Sequence, residues 1–158
     1  MSKLRLATEK DSTAIWGVRT EAIRGISAAY YDIKDMEKWS PSDMPSKFSE
    51  IVKNNNWYVI ELLDGAIIAT GFLDDKKGSV EAIFVKPAHQ GKGFAAMILN
   101  KLEKLARSKK YKKLTLEATL NAENFYKKFG YKPVKKATYH SEVGLELDCV
   151  LMEKTLSK

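Results

Sequence analysis

The chain has 158 residues, 44% hydrophobic and 30% charged, enough for one sizeable core and too few to divide comfortably into two. It contains no run of about eighteen apolar residues that could cross a membrane, and Met1-Ser2-Lys3-Leu4-Arg5 carries no apolar leader, so a single cytoplasmic domain over 1–158 is expected. Cys149 is the only cysteine and His89 and His140 the only histidines, which excludes an internal disulfide and argues against a metal cluster, while the net charge of +7 suits a polyanion without choosing between nucleic acid, an anionic surface and a phosphorylated ligand.

Leu4-Arg5-Leu6 alternates like an edge strand, and Thr8-Glu9-Lys10-Asp11 then offers a capping box with a hydroxyl at the N-cap and a carboxylate three residues on. The helix that follows carries Ile15, Val18, Ala22 and Ile26 inward, with Gly25 loosening its end. Tyr30 to Pro41 reads as a short helix or structured loop. A second helix is predicted to begin near Pro45 and to bury Phe48, Ile51 and Val52.

After Asn54-Asn55-Asn56 the period changes to two. Trp57–Leu63, Ala66–Leu73 and Val80–Val85, joined by Asp64-Gly65 and Asp74–Gly78, form a three-strand meander that Pro87 ends. From Phe94, the residues Met97, Ile98, Leu102, Leu105 and Ala106 define a helix reaching Ser108. Leu114–Glu117 is a strand, Ala122–Phe129 a short helix stopped by Gly130, and Tyr131–Val134 and Gly144–Met152 closing strands. The order implies an α/β (α+β) layered fold: a mixed, mostly antiparallel sheet with helices on both faces. Cys149 alternates with Leu145, Leu147 and Leu151, which reads as a small buried hydrophobe in preference to a nucleophile. The lysines of 101–113 and 127–136 largely fill the polar faces of amphipathic stretches. No helix-turn-helix, RNP-like or zinc pattern accompanies them, so neither nucleic acid nor a membrane is an expected partner.

Gln90-Gly91-Lys92-Gly93-Phe94-Ala95 passes from a strand into a helix through two glycines. Such a loop leaves backbone N–H groups unpaired and pointing one way, with the helix dipole behind them and a mobile cation at Lys92: an anion site. The G-x-G-x-x-A spacing of Gly91, Gly93 and Ala96, with Glu117 about twenty residues on, imitates a dinucleotide fingerprint. That fingerprint needs its first glycine directly after the strand, whereas Lys86–Gln90 intervene here and a meander precedes it. The P-loop pattern fails because Gly93, not Ser or Thr, follows Lys92.

Val85-Lys86-Pro87-Ala88-His89-Gln90-Gly91-Lys92-Gly93-Phe94-Ala95 resembles the acetyl-CoA signature of the GNAT superfamily of N-acetyltransferases, Q/R-x-x-G-x-G/A after a strand ending in V-x-P. Ala122-Glu123-Asn124-Phe125-Tyr126-Lys127-Lys128-Phe129-Gly130-Tyr131 is similar to that superfamily's A-x-x-F-Y-x-x-x-G-F segment, with Tyr131 for the usual Phe. The resemblance implies acetyl-CoA as cosubstrate, wedged between the splayed strands 80–85 and 114–117, and no metal. Main-chain groups of Phe84 and Val85 would pair with the pantetheine arm, and the amides of Gln90, Gly91, Lys92, Gly93, Phe94 and Ala95 would hold the pyrophosphate. Asn124 would reach the pantetheine, and Thr119 stands where many relatives carry Asn.

Acetyl transfer to an amine needs that amine deprotonated and the leaving sulfur protonated or stabilised. By resemblance Tyr126 would protonate the sulfur, although Ala122, Phe125, Tyr126 and Phe129 also form an ordinary buried stripe. Glu81, on the alternation Glu81, Ile83, Val85, is a candidate general base if it faces the cleft and an ordinary solvated carboxylate if it does not; Glu117 is the weaker candidate. Tyr30, Tyr31 and Trp39 fall where the resemblance puts the acceptor-site cover, with ordinary packing between layers as the alternative; His140 reads as a solvent residue in a loop, with a place facing the acceptor as the alternative. The expected function is acetylation of a primary amine on a small molecule or peptide by direct attack. A domain that binds acyl-CoA without transferring it is the alternative. A symmetric dimer through edge strands is compatible with the pattern.

Overall fold

A computed structural model describes residues 1–141 and 144–156. In chain order its elements are β1 (Ser2–Leu6), α1 (Ser12–Arg24), α2 (Ile33–Trp39), α3 (Phe48–Asn54), β2 (Asn56–Leu62), β3 (Ile67–Asp74), β4 (Ser79–Val85), α4 (Phe94–Ser108), β5 (Lys113–Thr119), α5 (Glu123–Lys128), β6 (Lys132–His140) and β7 (Glu146–Thr155). The strands form one sheet in the order β1-β2-β3-β4-β5-β7-β6. Every neighbouring pair is antiparallel except β4 and β5, which run parallel.

The period-two strands sort their side chains to opposite faces. Ile60, Ile68, Val80, Leu114 and Met152 meet Ile98, Leu99, Leu102 and Ala106 of α4 in the larger core. Val59 and Ile67, their chain neighbours, meet Ile15, Val18 and Val52 on the other face, beneath α1 and α3. The Thr8–Asp11 capping box forms, with the Thr8 amide donating to Asp11 Oδ2 at 2.8 Å, but one 3₁₀ turn precedes the helix proper at Ser12. Arg5 grips Asp11 through both terminal nitrogens at 2.8 and 2.9 Å and reaches Glu61 at 3.0 Å, which fixes the start of α1 to β1 and β2. Gly25 keeps a right-handed conformation; its role is space, because a Cβ there would stand 3.0 Å from the Pro87 ring.

Two expectations are corrected. Pro45 begins a turn, not the helix: its carbonyl accepts from the Phe48 amide and α3 starts at Phe48. β6 runs on to His140, which is therefore an exposed strand residue and not part of a loop. The strand is exposed over Lys132–Lys136 because it is an edge with little to bury.

Glu103 is buried on α4 yet fully partnered. Tyr131 donates its hydroxyl to Oε2 at 2.9 Å, and Lys154 of β7 reaches both oxygens at 3.0 and 3.1 Å. A buried carboxylate that loses its cation costs far more than the pair contributes. Lys154→Met is therefore expected to lower unfolding free energy by about 3 kcal/mol in urea titration, and adding Glu103→Leu should recover most of that loss.

Candidate active site

The sheet is split at its centre. β4 and β5 are registered only at Ser79 with Thr115, and the Thr115 amide donates to the Gly78 carbonyl at 3.1 Å; beyond that point the two strands diverge. The divergence coincides with a bulge. On β3 the register steps two residues, Thr70 to Phe72, while on β4 it steps three, Phe84 to Glu81, and Ala82 takes the left-handed conformation at φ 53°. A non-glycine residue there is strained. Gly71 sits opposite, where a Cβ would lie 2.7 Å from Ile98 and 2.9 Å from Ile83, so the bulge needs a residue without a side chain across from it.

The bulge changes the phase of β4, correcting the simple alternation expected for Glu81. Val80, Ile83 and Val85 pack on the α4 face, whereas Ala82 and Phe84 pack on the face that α1 and α3 cover. Glu81 lines a cavity of about 400 Å³ on that second face, with Phe84, Glu117, Thr119, Tyr126 and Cys149. Its carboxylate accepts from Ser79 Oγ at 2.8 Å. Burial holds its pKa above the usual carboxylate range, an effect that the Ser79 hydrogen bond and Lys77 offset in part and that Asp74 and Glu117 reinforce.

Tyr126, 8% exposed, presents its ring from α5 to the same cavity, and its hydroxyl has no hydrogen-bond partner among the described residues. Burial first, and the Glu81 charge second, push that hydroxyl well above its ordinary pKa, so it stays a phenol. Cys149 donates its thiol to Glu117 at 3.8 Å, and burial with Glu117 beside it pushes the thiol up to about 11. A thiol so held is not ionised near neutral pH, consistent with a packing role. Tyr31 clamps the cavity wall: its hydroxyl donates to the Asp148 carbonyl at 2.6 Å and accepts from the Leu120 amide at 3.0 Å. Trp39 also lines the cavity, whereas Tyr30 is 47% exposed and takes no part.

At the open end of the split, one 3₁₀ turn (Pro87–His89) leads into the glycine loop and α4. Gly91 and Gly93 are both left-handed, at φ 77° and 89°, and a Cβ on either would meet open space. The Gln90 amide, expected among the open ones, instead donates to the Pro87 carbonyl at 3.3 Å; among the described residues the amides from Gly91 to Ala96 have no acceptor, and Met97 is the first whose amide turns back, to the Gly93 carbonyl at 3.1 Å. Lys92 and Gln90 are exposed there. The Gln90 side chain donates to the Val85 carbonyl at 3.1 Å, so that carbonyl is already engaged. Asn124 lies exposed on the first turn of α5, outside the cavity lining.

An acetyltransferase (GNAT) domain family matches residues 27–156. The chain belongs to this family. As a GNAT acetyltransferase it is an acetyl-CoA-dependent acyltransferase. Its fold matches the GCN5-related N-acetyltransferase of Rhodopseudomonas palustris with a TM-score of 0.90, at 24% identity over 99% of this chain and 96% of that one. PaiA N-acetyltransferase of Thermoplasma acidophilum, solved in complex with coenzyme A, aligns at TM-score 0.75 and 18% identity over 99% of both chains. YncA of Salmonella typhimurium, solved with its cofactor acetyl-CoA, aligns at 0.71 and 19% over 100% of this chain and 95% of that one. Among the described residues no group of His, Cys, Asp or Glu could hold a metal, and no helix is long and apolar enough to cross a membrane.

Sequence reading did not single out Trp16, Arg19 and Phe72 as cavity residues, nor Ser79 as the partner of Glu81. The aromatics are far apart in sequence and each fits a buried position, so only the fold brings them together. Gly93→Glu, which adds a charged side chain at a left-handed position facing open space, is expected to weaken acetyl-CoA binding at least about tenfold by calorimetry. Gly65→Ala, also at φ 89° but in the β2–β3 turn, is the control: it should lower stability by about 1–2 kcal/mol and leave the acetyl-CoA Kd unchanged.

Proposed function

We propose that this GNAT enzyme acetylates a primary amine on a small molecule or peptide by direct attack, with Glu81 as general base and Tyr126 as general acid. The observation that carries the proposal is the pairing of an unpartnered, buried phenol with a buried carboxylate of raised pKa in one cavity beside the split.

Acetyl-CoA supplies the activated acetyl group. In the proposed arrangement the free amides of Gly91 to Ala95 and the Lys92 cation hold its pyrophosphate. The β4 edge near Phe84 and Val85 receives the pantetheine arm, with Gln90 releasing the Val85 carbonyl. The open space beside both glycines is compatible with a phosphate that approaches the backbone closely. Asn124 is a lesser contact because it lies outside the cavity.

An incoming ammonium must lose a proton before its nitrogen can attack. Glu81 takes it, and the raised pKa of that carboxylate makes it a better base than a solvated one. The C–N bond forms as the C–S bond breaks. Tyr126 gives its proton to the departing sulfur and is refilled by the second proton the nitrogen sheds, so the phenol returns to its starting state. Ser79 orients the carboxylate.

Tyr126→Phe is expected to lower kcat about 100-fold or more in a thiol-release assay with the acetyl-CoA Kd unchanged; undiminished kcat would remove Tyr126 from the mechanism. Because Glu81 acts unprotonated, activity should rise with pH through a limb centred above the usual carboxylate range. Glu81→Gln should lower kcat and abolish that limb. Acetyl-CoA at 100 times its Kd should add about 2.7 kcal/mol of stability, read as a rise in Tm.

A further inference from the structure

The acceptor end of the cavity has a chemistry of its own. Glu81 and Phe72 are direct partners across β4 and β3, so the carboxylate begins a wall of aromatic rings. Phe72 stacks on Trp57 with centroids 4.4 Å apart, Trp57 meets Phe48 edge-on at 5.6 Å, and Phe48 meets Trp16 at 5.0 Å. The guanidinium of Arg19 closes the run, 4.5 Å from the Trp16 ring and 5.9 Å from Trp39, with one nitrogen donating to the Trp39 carbonyl at 2.9 Å. Lys47 also borders the cavity. The wall therefore runs from an anion to a cation, with aromatic faces and edges between.

We propose that the acceptor is an arylalkylamine: one ammonium, a short alkyl link and one aromatic ring, bound with the nitrogen at Glu81 and the ring against Phe72 and Trp57. The inference rests on the transferase reading above and names the substrate class for that site. A flat ring gains offset-stacked and edge-on contacts from this wall that a saturated chain lacks. A polyamine has the opposite problem. Extended along the wall, its second ammonium would end beside the like charge of Arg19. A polyhydroxylated sugar amine would exchange water for a wall that is mostly ring carbon, with few groups to partner its several hydroxyls. A peptide amine carries polar amide groups immediately beyond its α-carbon, where the wall offers ring carbon.

The test is thiol release by the full chain at saturating acetyl-CoA, with 2-phenylethylamine and tryptamine compared with n-butylamine, spermidine, kanamycin and a short peptide. The expected result is a kcat/KM for the arylalkylamines about 30-fold or more above every other amine. Acetylation of spermidine, kanamycin or the peptide at equal or higher kcat/KM overturns the substrate class and leaves the transferase reading standing. No acetylation of any amine, while acetyl-CoA still raises Tm, overturns both. Phe72→Leu keeps an apolar residue on the strand and is expected to raise KM about tenfold for 2-phenylethylamine and much less for n-butylamine, with the acetyl-CoA Kd unchanged. Equal rises for the two amines would remove the ring stack from recognition. The panel on the unaltered chain decides the substrate class even if that variant fails to fold.

Discussion

Parallel strands β4 and β5 share one registered pair, Ser79 with Thr115, and then part. A sheet normally gains from every ladder bond it can close, and each backbone group left open on an inner edge is a cost unless something else satisfies it. Here the parting is enforced from one side by the left-handed Ala82, whose bulge redirects β4, and it is tolerated on the other because Gly71 yields the space that Ile83 and Ile98 fill. The rest of the site follows from that gap. It opens inner strand edges toward a ligand, lets Tyr126 reach the cavity from α5, and turns Glu81 onto the same face as Phe84.

The bulge also explains why a carboxylate survives at the centre of the sheet. Placed on the α4 face, Glu81 would lie in the larger core among Leu102, Leu114 and Met152. On the opposite face it has Ser79 as a donor, an aromatic wall and an open cavity. Burial there raises its pKa above the usual carboxylate range. Glu103 shows the contrasting solution in the same molecule, a carboxylate pinned by Tyr131 and Lys154 and made structural by having no capacity left.

Much of this was legible in the residues. The meander, the whole of α4 from Phe94 to Ser108, and the glycine loop followed from period, turn chemistry and breakers, because each is decided by neighbours in sequence. The phase of Glu81 was not, since alternation through Val80–Val85 assumes a regular strand and nothing in Glu81-Ala82-Ile83 announces a left-handed alanine. The length of β6 escaped for a related reason: its exposed lysines do not alternate with buried residues, so its only strand signal is its pairing with β7. The aromatic wall escaped because Trp16, Phe48, Trp57 and Phe72 come from α1, α3, β2 and β3, and each alone is indistinguishable from core.

The net charge of +7 takes on a more specific meaning once it is located. Lys132, Lys135 and Lys136 lie on the outer edge strand β6 and Lys3 on the edge strand β1, whereas Arg5 is neutralised by Asp11 and Glu61. At the cavity the sign is reversed: Glu81 and Glu117 line it together, with Arg19 and Lys47 also in its lining, while Lys92 stands on the glycine loop outside it. In the proposed mechanism this arrangement makes Glu81 responsive to its substrate. Empty of amine, the carboxylate is pushed toward its protonated form by burial and by Glu117; an arriving ammonium favours the ionised form and so prepares the base. Once the nitrogen has been acylated and is neutral, that support is gone and the proton can pass on to solvent. In that mechanism the ammonium that Glu81 attracts is also the charge that shifts the carboxylate toward its ionised, base form.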